Sequence, residues 1–178
     1  MKRVHAQDAN AVGQITATIA NMLQFLDPNK NRSIVLLNIG VTHCTVDCLG
    51  PLVGSMLLEI NPFLNVYGTM RNPISCNNFT RIMQQIQKKI ENPLIIAVDA
   101  CMGQKENVGT IAVRQEPILP GSAFFSESPI CPIGEIGISG VVMEIPSESP
   151  TTPNVGLWRV VDLANCIAES LAAATREN

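Results

Sequence analysis

Residues 33–40, SIVLLNIG, and residues 94–99, LIIAVD, are two short apolar runs, and the first ends in a glycine while the second ends in an acid. Apolar runs of this length, with few polar interruptions, are typical of parallel strands that helices cover on both faces. Open sheets of such strands bind ligands beyond the carboxyl ends of the strands. We therefore expect an α/β fold, with its chemistry where these two runs end.

Helical patterns surround the two runs. Apolar residues recur at three- and four-residue spacing from Asp8 to Leu26, with Asp8 as the predicted N-cap, and again from Ile74 to Glu91. Further helices are predicted at residues 49–60 and 155–174, and further strands at residues 65–67, 108–114 and 136–145. This alternation predicts a three-layer α/β/α sandwich with a mostly parallel sheet.

Length and composition indicate one domain. A chain of 178 residues with 46% hydrophobic residues can close one substantial core. We take residues 1–178 as a single domain, with an N-terminal helix and turn up to residue 33, and a breaker segment and C-terminal helix from residue 146. Residues 115–135 are rich in proline, serine and glycine and are predicted to form a long loop, which is a lid, a subunit contact or a disordered segment.

Charge and apolar patterning exclude several classes of partner. The formal net charge is −3, the twelve Lys and Arg residues are scattered, and only 4% of residues are aromatic. We therefore expect no direct contact with nucleic acid. No apolar run is long enough for a signal peptide or a membrane span, so a cytoplasmic location is expected. The six cysteines are dispersed and are predicted to be free thiols.

Two aspartates, Asp47 and Asp99, are the strongest candidates for chemistry. Asp99 follows a buried run directly, and Asp47 lies in the loop after the other run. Each has an ordinary structural alternative, Asp99 as a loop cap and Asp47 as the N-cap of the helix that begins near Leu49. Two carboxylates at one sheet edge can instead split their pKa values, so that one acts as an acid while the other activates a water.

A metal or thiol site is the alternative chemistry. His43, Cys44, Cys48 and Cys101 lie near these aspartates in sequence, although no CxxC pair is present. A Cys101 nucleophile with His43 as its base has no third residue to orient it. Because the chain also lacks the glycine motifs of nucleotide-binding loops, we expect no bound cofactor.

Several motifs, in order and spacing, resemble a known family. NIGVTHCTVDCLGPLVG, VYGTM, PLIIAVDACMGQKENVGTIAV, ILPGSAFF and IGEIGISGVVMEI resemble the YyaC-type sporulation proteases of spore-forming bacteria. That family is similar to the germination proteases that degrade small acid-soluble spore proteins, and more distantly to hydrogenase maturation proteases. The resemblance implies a phosphorylase/hydrolase-like α/β/α fold.

The resemblance also implies roles for residues. Asp47 and Asp99 match the two aspartates of the germination proteases, and a peptidase of sporulation or germination is the first expected function. The metal-binding histidine of the maturation proteases has no counterpart, because Gly137 stands in that region. The second expected function is therefore a binding or regulatory protein that keeps the protease fold without catalysis.

The implied partners are protein or peptide substrates, among them small spore proteins, in the cytoplasm of the forespore or mother cell. We also expect the chain to form a homo-oligomer. The positions expected to contact substrate are the following residues of the motifs: Gly40, Thr42, Gly68, Thr69, Cys101, Gly103, Gly121, Ser139 and Gly140.

Overall fold

The structure is a computed structural model that describes residues 1–119, 132–145 and 155–176. Within these ranges the chain forms six strands: β1 Lys2–His5, β2 Ile34–Asn38, β3 Asn65–Tyr67, β4 Leu94–Gly103, β5 Thr110–Arg114 and β6 Ile136–Glu144. It also forms four α-helices: α1 Ala11–Leu26, α2 Leu49–Ile60, α3 Phe79–Lys89 and α4 Leu157–Ala174. Strands and helices alternate through most of the chain, as the sequence pattern predicts.

All six strands belong to one sheet, in the order β1-β5-β6-β4-β2-β3. The pairs β2–β3, β2–β4 and β4–β6 are parallel, whereas β5 pairs antiparallel with both β6 and β1. The sheet is therefore mostly parallel, which confirms the predicted fold class. Because β2 and β4 are parallel neighbours, their strands end at the same edge of the sheet. We call this the carboxyl edge.

Two apolar clusters on opposite faces of the sheet make this a three-layer fold. The larger cluster joins α1, α2 and α4 to one face, through side chains such as Ile15, Leu49 and Leu163. The smaller cluster joins α3 to the other face, through Ile86 and its neighbours. Residues that alternate along a strand therefore point either to the three-helix side or to the α3 side.

Two predicted helix starts are wrong. Helix α1 begins at Ala11, with Asn10 rather than Asp8 preceding it and without any side-chain cap. Helix α3 begins at Phe79 rather than at Ile74, because Ile74 forms a parallel bridge with Ile39 and so extends the sheet.

The ends of the sheet also differ from prediction. Strand β1 was not predicted, since four residues without marked apolar alternation give no strand signal. Strand β4 continues to Gly103 instead of ending at Asp99, because Ala100 and Cys101 still pair with β6. Within the described residues, no helix has the length and apolar character needed to span a membrane.

Candidate active site at the carboxyl edge of the sheet

A glycine turns the chain away from β2 at the carboxyl edge. Gly40 has a φ of +146°, and a Cβ at this position would lie 2.0 Å from the backbone oxygen of Asp47. Any other residue would therefore be strained here and would also push the following loop away. The close approach fixes Asp47 beside the end of β2.

Asp47 closes this loop through hydrogen bonds to its first residue. The Val41 N–H donates to Oδ2 of Asp47 at 2.9 Å and also to the Asp47 backbone oxygen at 3.2 Å. Burial raises the pKa of the Asp47 carboxyl, while the Val41 N–H and the nearby His43 partly oppose that increase. The net direction is upward, so Asp47 holds a proton more readily than an exposed aspartate does.

Buried side chains anchor the loop to the larger apolar cluster. Val46 and Cys48 belong to the larger apolar cluster, and the Cys48 thiol contacts the backbone oxygen of Thr45 at 3.2 Å. Helix α2 begins immediately afterwards at Leu49, and its N-cap residue is Cys48 with no side-chain capping bond. The predicted alternative, Asp47 as the N-cap, is therefore wrong, and its carboxylate serves the loop instead.

Asp99 lies within β4 and is only 8% exposed. Its strand neighbours Val98 and Ala100 pack into the larger cluster on the three-helix side. Alternation along the strand therefore sends Asp99 to the α3 side, in register with Ser139 of β6. The Ala100 N–H donates to Oδ1 of Asp99 at 2.9 Å. The predicted loop-cap position is wrong, since the strand runs on past this residue.

The two aspartates lie on neighbouring parts of the sheet. Residues of β2 pair with residues of β4 as far as Asn38 and Val98, and the Ile39 N–H donates to the Val98 oxygen at 2.8 Å. Asp99 follows Val98 directly, while Asp47 is bonded to Val41, which is two residues beyond Ile39. Both acids thus belong to the region where β2 ends against β4, as the sequence predicts.

The thiols near the acids do not assemble into a metal site. In the described ranges, no three His, Cys, Asp or Glu side chains are grouped so that they could hold an ion. Among the described residues, His43, Cys44 and Cys48 therefore do not form such a group. Burial raises the pKa of the Cys101 thiol, and Asp99 raises it further, whereas Arg114 and Arg3 lower it. A raised thiol pKa is the opposite of what an activated nucleophile needs.

The predicted substrate-contact residues separate into two groups. Gly40, Thr42, Gly68 and Thr69 lie in the loops beyond β2 and β3, and Thr42 is exposed there. Cys101, Gly103 and Ser139 continue from Asp99 along β4 and beside it on β6.

Two of these predicted residues remain. Gly140 does not face the acids, and Gly121 is not among the described residues. A Cβ on Gly140 would meet Leu49, so this glycine lets α2 approach the three-helix side of the sheet and does not face Asp99. Gly121 lies outside the described residues.

Asn38 is a residue of this region that the sequence reasoning missed. It is completely buried at the end of β2, and its Nδ2 donates to the backbone oxygens of Leu36 at 3.2 Å and Tyr67 at 3.1 Å. Both partners are acceptors, so the amide orientation is fixed and Oδ1 points the other way. That oxygen is buried without a hydrogen-bond partner in the described structure. The signal available in the sequence was one asparagine interrupting SIVLLNIG.

A cavity of about 500 Å³ lies elsewhere, beside the start of α4. His5, Lys105, Glu144, Trp158 and Arg159 are among the residues that line it. Neither Asp47 nor Asp99 is among those residues, and its charged groups have both signs. Asp47 and Asp99, rather than this cavity, remain the candidate active site.

The fold is shared with a protein of known structure. The chain matches the crystal structure of the NiFe hydrogenase maturation protease HycI from Thermococcus kodakarensis KOD1 with a TM-score of 0.51. The match covers 86% of this chain and 98% of the other, at 17% sequence identity. At this identity the likeness shows a shared α/β fold.

Sequence comparison gives the family. Residues 3–170 match the family described as "Protein of unknown function (DUF1256)", and the chain belongs to that family. It is 33% identical over 172 residues to the "Uncharacterized protein YyaC" of Bacillus subtilis (strain 168), covering 95% of this chain and 81% of that protein. The relation to YyaC expected from the sequence motifs is thereby confirmed.

Proposed function

We propose that this chain is a peptidase of sporulation or germination that uses Asp47 and Asp99 to activate water. The observation that carries the proposal is the position of two buried or half-buried carboxyl groups where β2 ends beside β4, one in the loop after β2 and one within β4. Burying a carboxylate is costly unless it is paired or used. The fold shared with a maturation protease supports a peptidase activity, and the sporulation setting rests on the resemblance of the motifs to the YyaC-type family, in which YyaC is a relative of this chain.

The two acids have different surroundings, which suggests different roles. Burial raises the pKa of Asp47, so a fraction of the molecules keeps this proton at a pH where an exposed aspartate has lost it, and in that form Asp47 donates the proton to the leaving amine. Asp99 is then the base that takes a proton from water as the water oxygen attacks the peptide carbonyl carbon. In Asp47, Oδ2 accepts from the Val41 N–H, which leaves Oδ1 to carry the proton.

The test compares single carboxylate-to-amide variants on extracted small spore proteins, with fragments identified by mass spectrometry. Wild type is expected to cut, while Asp47→Asn and Asp99→Asn are expected to lose at least about a hundredfold in rate because each lacks an acid or base. Asp8→Asn removes an exposed carboxylate and is the matched control, which should cut like wild type. Cutting at wild-type rate by either active-site variant would contradict the proposed mechanism.

A second candidate function is a binding protein with the same fold. The observation that favours it is the structural use of Asp47, whose carboxylate accepts the Val41 N–H and so stabilises the loop. Under this alternative, wild type cuts no spore protein, yet the immobilised chain retains a spore protein and Asp99→Asn leaves retention unchanged. Aspartate-dependent turnover would exclude this alternative.

A further inference from the structure

The face of the sheet that carries Asp99 also carries two arginines. Val113 of β5 and Val4 of β1 pack into the larger cluster on the three-helix side. Alternation therefore places their neighbours Arg114 and Arg3 on the α3 side. Both arginines are half-buried, so their guanidinium groups are partly withdrawn from water.

Arg114 has an unsatisfied donor. Its Nε is buried and has no hydrogen-bond partner in the described part of the chain. A guanidinium has five N–H donors in a planar fork that matches a carboxylate, and a buried donor left unused is costly. Arg3 is also weakly held, since its Nη1 donates to the Thr110 hydroxyl at the long distance of 3.4 Å.

The strand register gives the spacing between the acid and the arginines. Asp99 pairs with Ser139, Ser139 pairs with Ala112, and Ala112 pairs with Arg3, which makes one row across four strands. With strands about 4.8 Å apart, the Cα atoms of Asp99 and Arg3 are about 14 Å apart. Arg114 lies two strands and two residues from Asp99, a Cα separation of about 12 Å.

We propose that Arg114 and Arg3 form an anion-binding subsite that receives a carboxylate of a peptide ligand bound next to Asp99. The fork of Arg114 supplies the unused Nε–H, and Arg3 supplies a second positive charge on the adjoining strand. Both guanidinium groups also lower the pKa of the Cys101 thiol, so their positive charges act on the same face of the sheet as Asp99.

The spacing limits where this carboxylate lies in the ligand. An extended peptide advances about 3.3 Å per residue, so a span of about 12 Å corresponds to fewer than four residues. The recognised group is therefore an acidic side chain within about four residues of the bond next to Asp99, or a peptide C-terminus at that distance. The subsite rests on the proposed function only for the expectation that the ligand is a peptide.

The direct test is a titration of the ¹⁵N-labelled chain that follows the Nε–Hε resonances of its arginines. Three probes are used: acetyl-glutamate amide, acetyl-glutamine with a free C-terminus, and the neutral acetyl-glutamine amide. We expect the Arg114 resonance to shift with at least one of the charged probes and not with the neutral one. A response to the first identifies a side-chain carboxylate, and a response to the second identifies a C-terminus.

Variants separate recognition from charge and from folding. Arg114→Gln should weaken binding of the active probe about ten- to a hundredfold, as expected for loss of a charge-assisted hydrogen bond. Arg114→Lys keeps the charge without the fork and should give an intermediate loss, which also guards against a variant that fails to fold. Arg81→Gln, which removes an exposed arginine of α3, is the matched control and should bind like wild type.

The outcomes distinguish this inference from the proposed function. The subsite is refuted if the Arg114 Nε–Hε resonance does not shift with either charged probe, or if it shifts equally with the neutral probe. This holds even if the chain cleaves peptides. A specific response in a chain that cleaves nothing would retain the subsite and remove the peptidase.

Discussion

Replacing Asp47 by asparagine is expected to stabilise the protein at neutral pH while abolishing cleavage. Burial raises the pKa of the carboxyl, so the folded protein binds a proton more tightly at this site than the unfolded chain does. The resulting stabilisation is fully present below the unfolded pKa of about 3.9 and is lost as the pH rises through the folded value. At neutral pH the ionised Asp47 therefore costs stability.

The size of the effect follows from what asparagine keeps and what it removes. In the wild type the Val41 N–H donates to Oδ2 of Asp47 at 2.9 Å. The carbonyl oxygen of asparagine can accept the same N–H, so a hydrogen bond worth about 1 kcal/mol is retained. The half-buried charge disappears, for which we expect a gain of about 0.5–1 kcal/mol. For a chain of this size, 1 kcal/mol corresponds to about 2–4 °C in Tm.

Urea unfolding of wild type and Asp47→Asn at pH 4, 5, 6 and 7 measures this difference. The variant should gain relative to wild type as the pH rises, with unchanged m-values. Asp47→Ala removes the acceptor as well and should be about 1 kcal/mol less stable than Asp47→Asn. The reasoning is refuted if Asp47→Asn is less stable than wild type at pH 7, or if the difference between them does not depend on pH.

Other predictions concern the same region, the thiols and the assembly state. Gly68→Ala should cost about 2–4 kcal/mol in urea unfolding, because φ is +84° and the new Cβ would lie 1.8 Å from the Asn38 backbone oxygen; a neutral effect would contradict that contact. Asn38→Val should cost about 1–3 kcal/mol, because two backbone oxygens lose their donor; a more stable variant would show that the amide is dispensable. In thiol titration at pH 8, exposed Cys76 should react before Cys166, which is buried and whose pKa burial raises to about 11; equal rates would contradict this order. The homo-oligomer remains a prediction from the sequence, and light scattering that gives the monomer mass of 19.2 kDa would contradict it.

The layered fold could be predicted because its strongest signals are local. Strands β2 and β4 and helix α1 each bury one or more of their faces. The spacing of apolar residues along the sequence indicates which faces are buried, and this spacing was visible in the two runs and in the helical pattern. Strand β1 could not be predicted in this way. Its four residues pair at the outer edge of the sheet with β5, and that contact joins positions more than 100 residues apart.

The candidate site was predicted in position but not in detail. Asp47 and Asp99 lie in the same region of the sheet because β2 and β4 are parallel neighbours. The apolar pattern of the two runs predicts parallel strands, and so it predicts this proximity. The Asp47 hydrogen bond to Val41 and the continuation of β4 past Asp99 depend on backbone geometry that sequence spacing does not fix. Arg3 and Arg114 were missed because their shared face is set by an antiparallel register between strands β1 and β5.

The distribution of costly groups argues that this end of the sheet binds something. Asp47 keeps a carboxyl whose pKa burial raises, and Asp99 is nearly buried in the middle of β4. Asn38 buries an oxygen that has no hydrogen-bond partner among the described residues. Apolar side chains in place of the two carboxyl groups would avoid the cost of burying them, and this chain uses apolar side chains elsewhere along β2 and β4. Costs of this kind persist in proteins where a ligand or a reaction needs them. Their concentration where β2 meets β4, and their continuation across the face toward Arg114, favour one elongated ligand that contacts the acids and the arginine together.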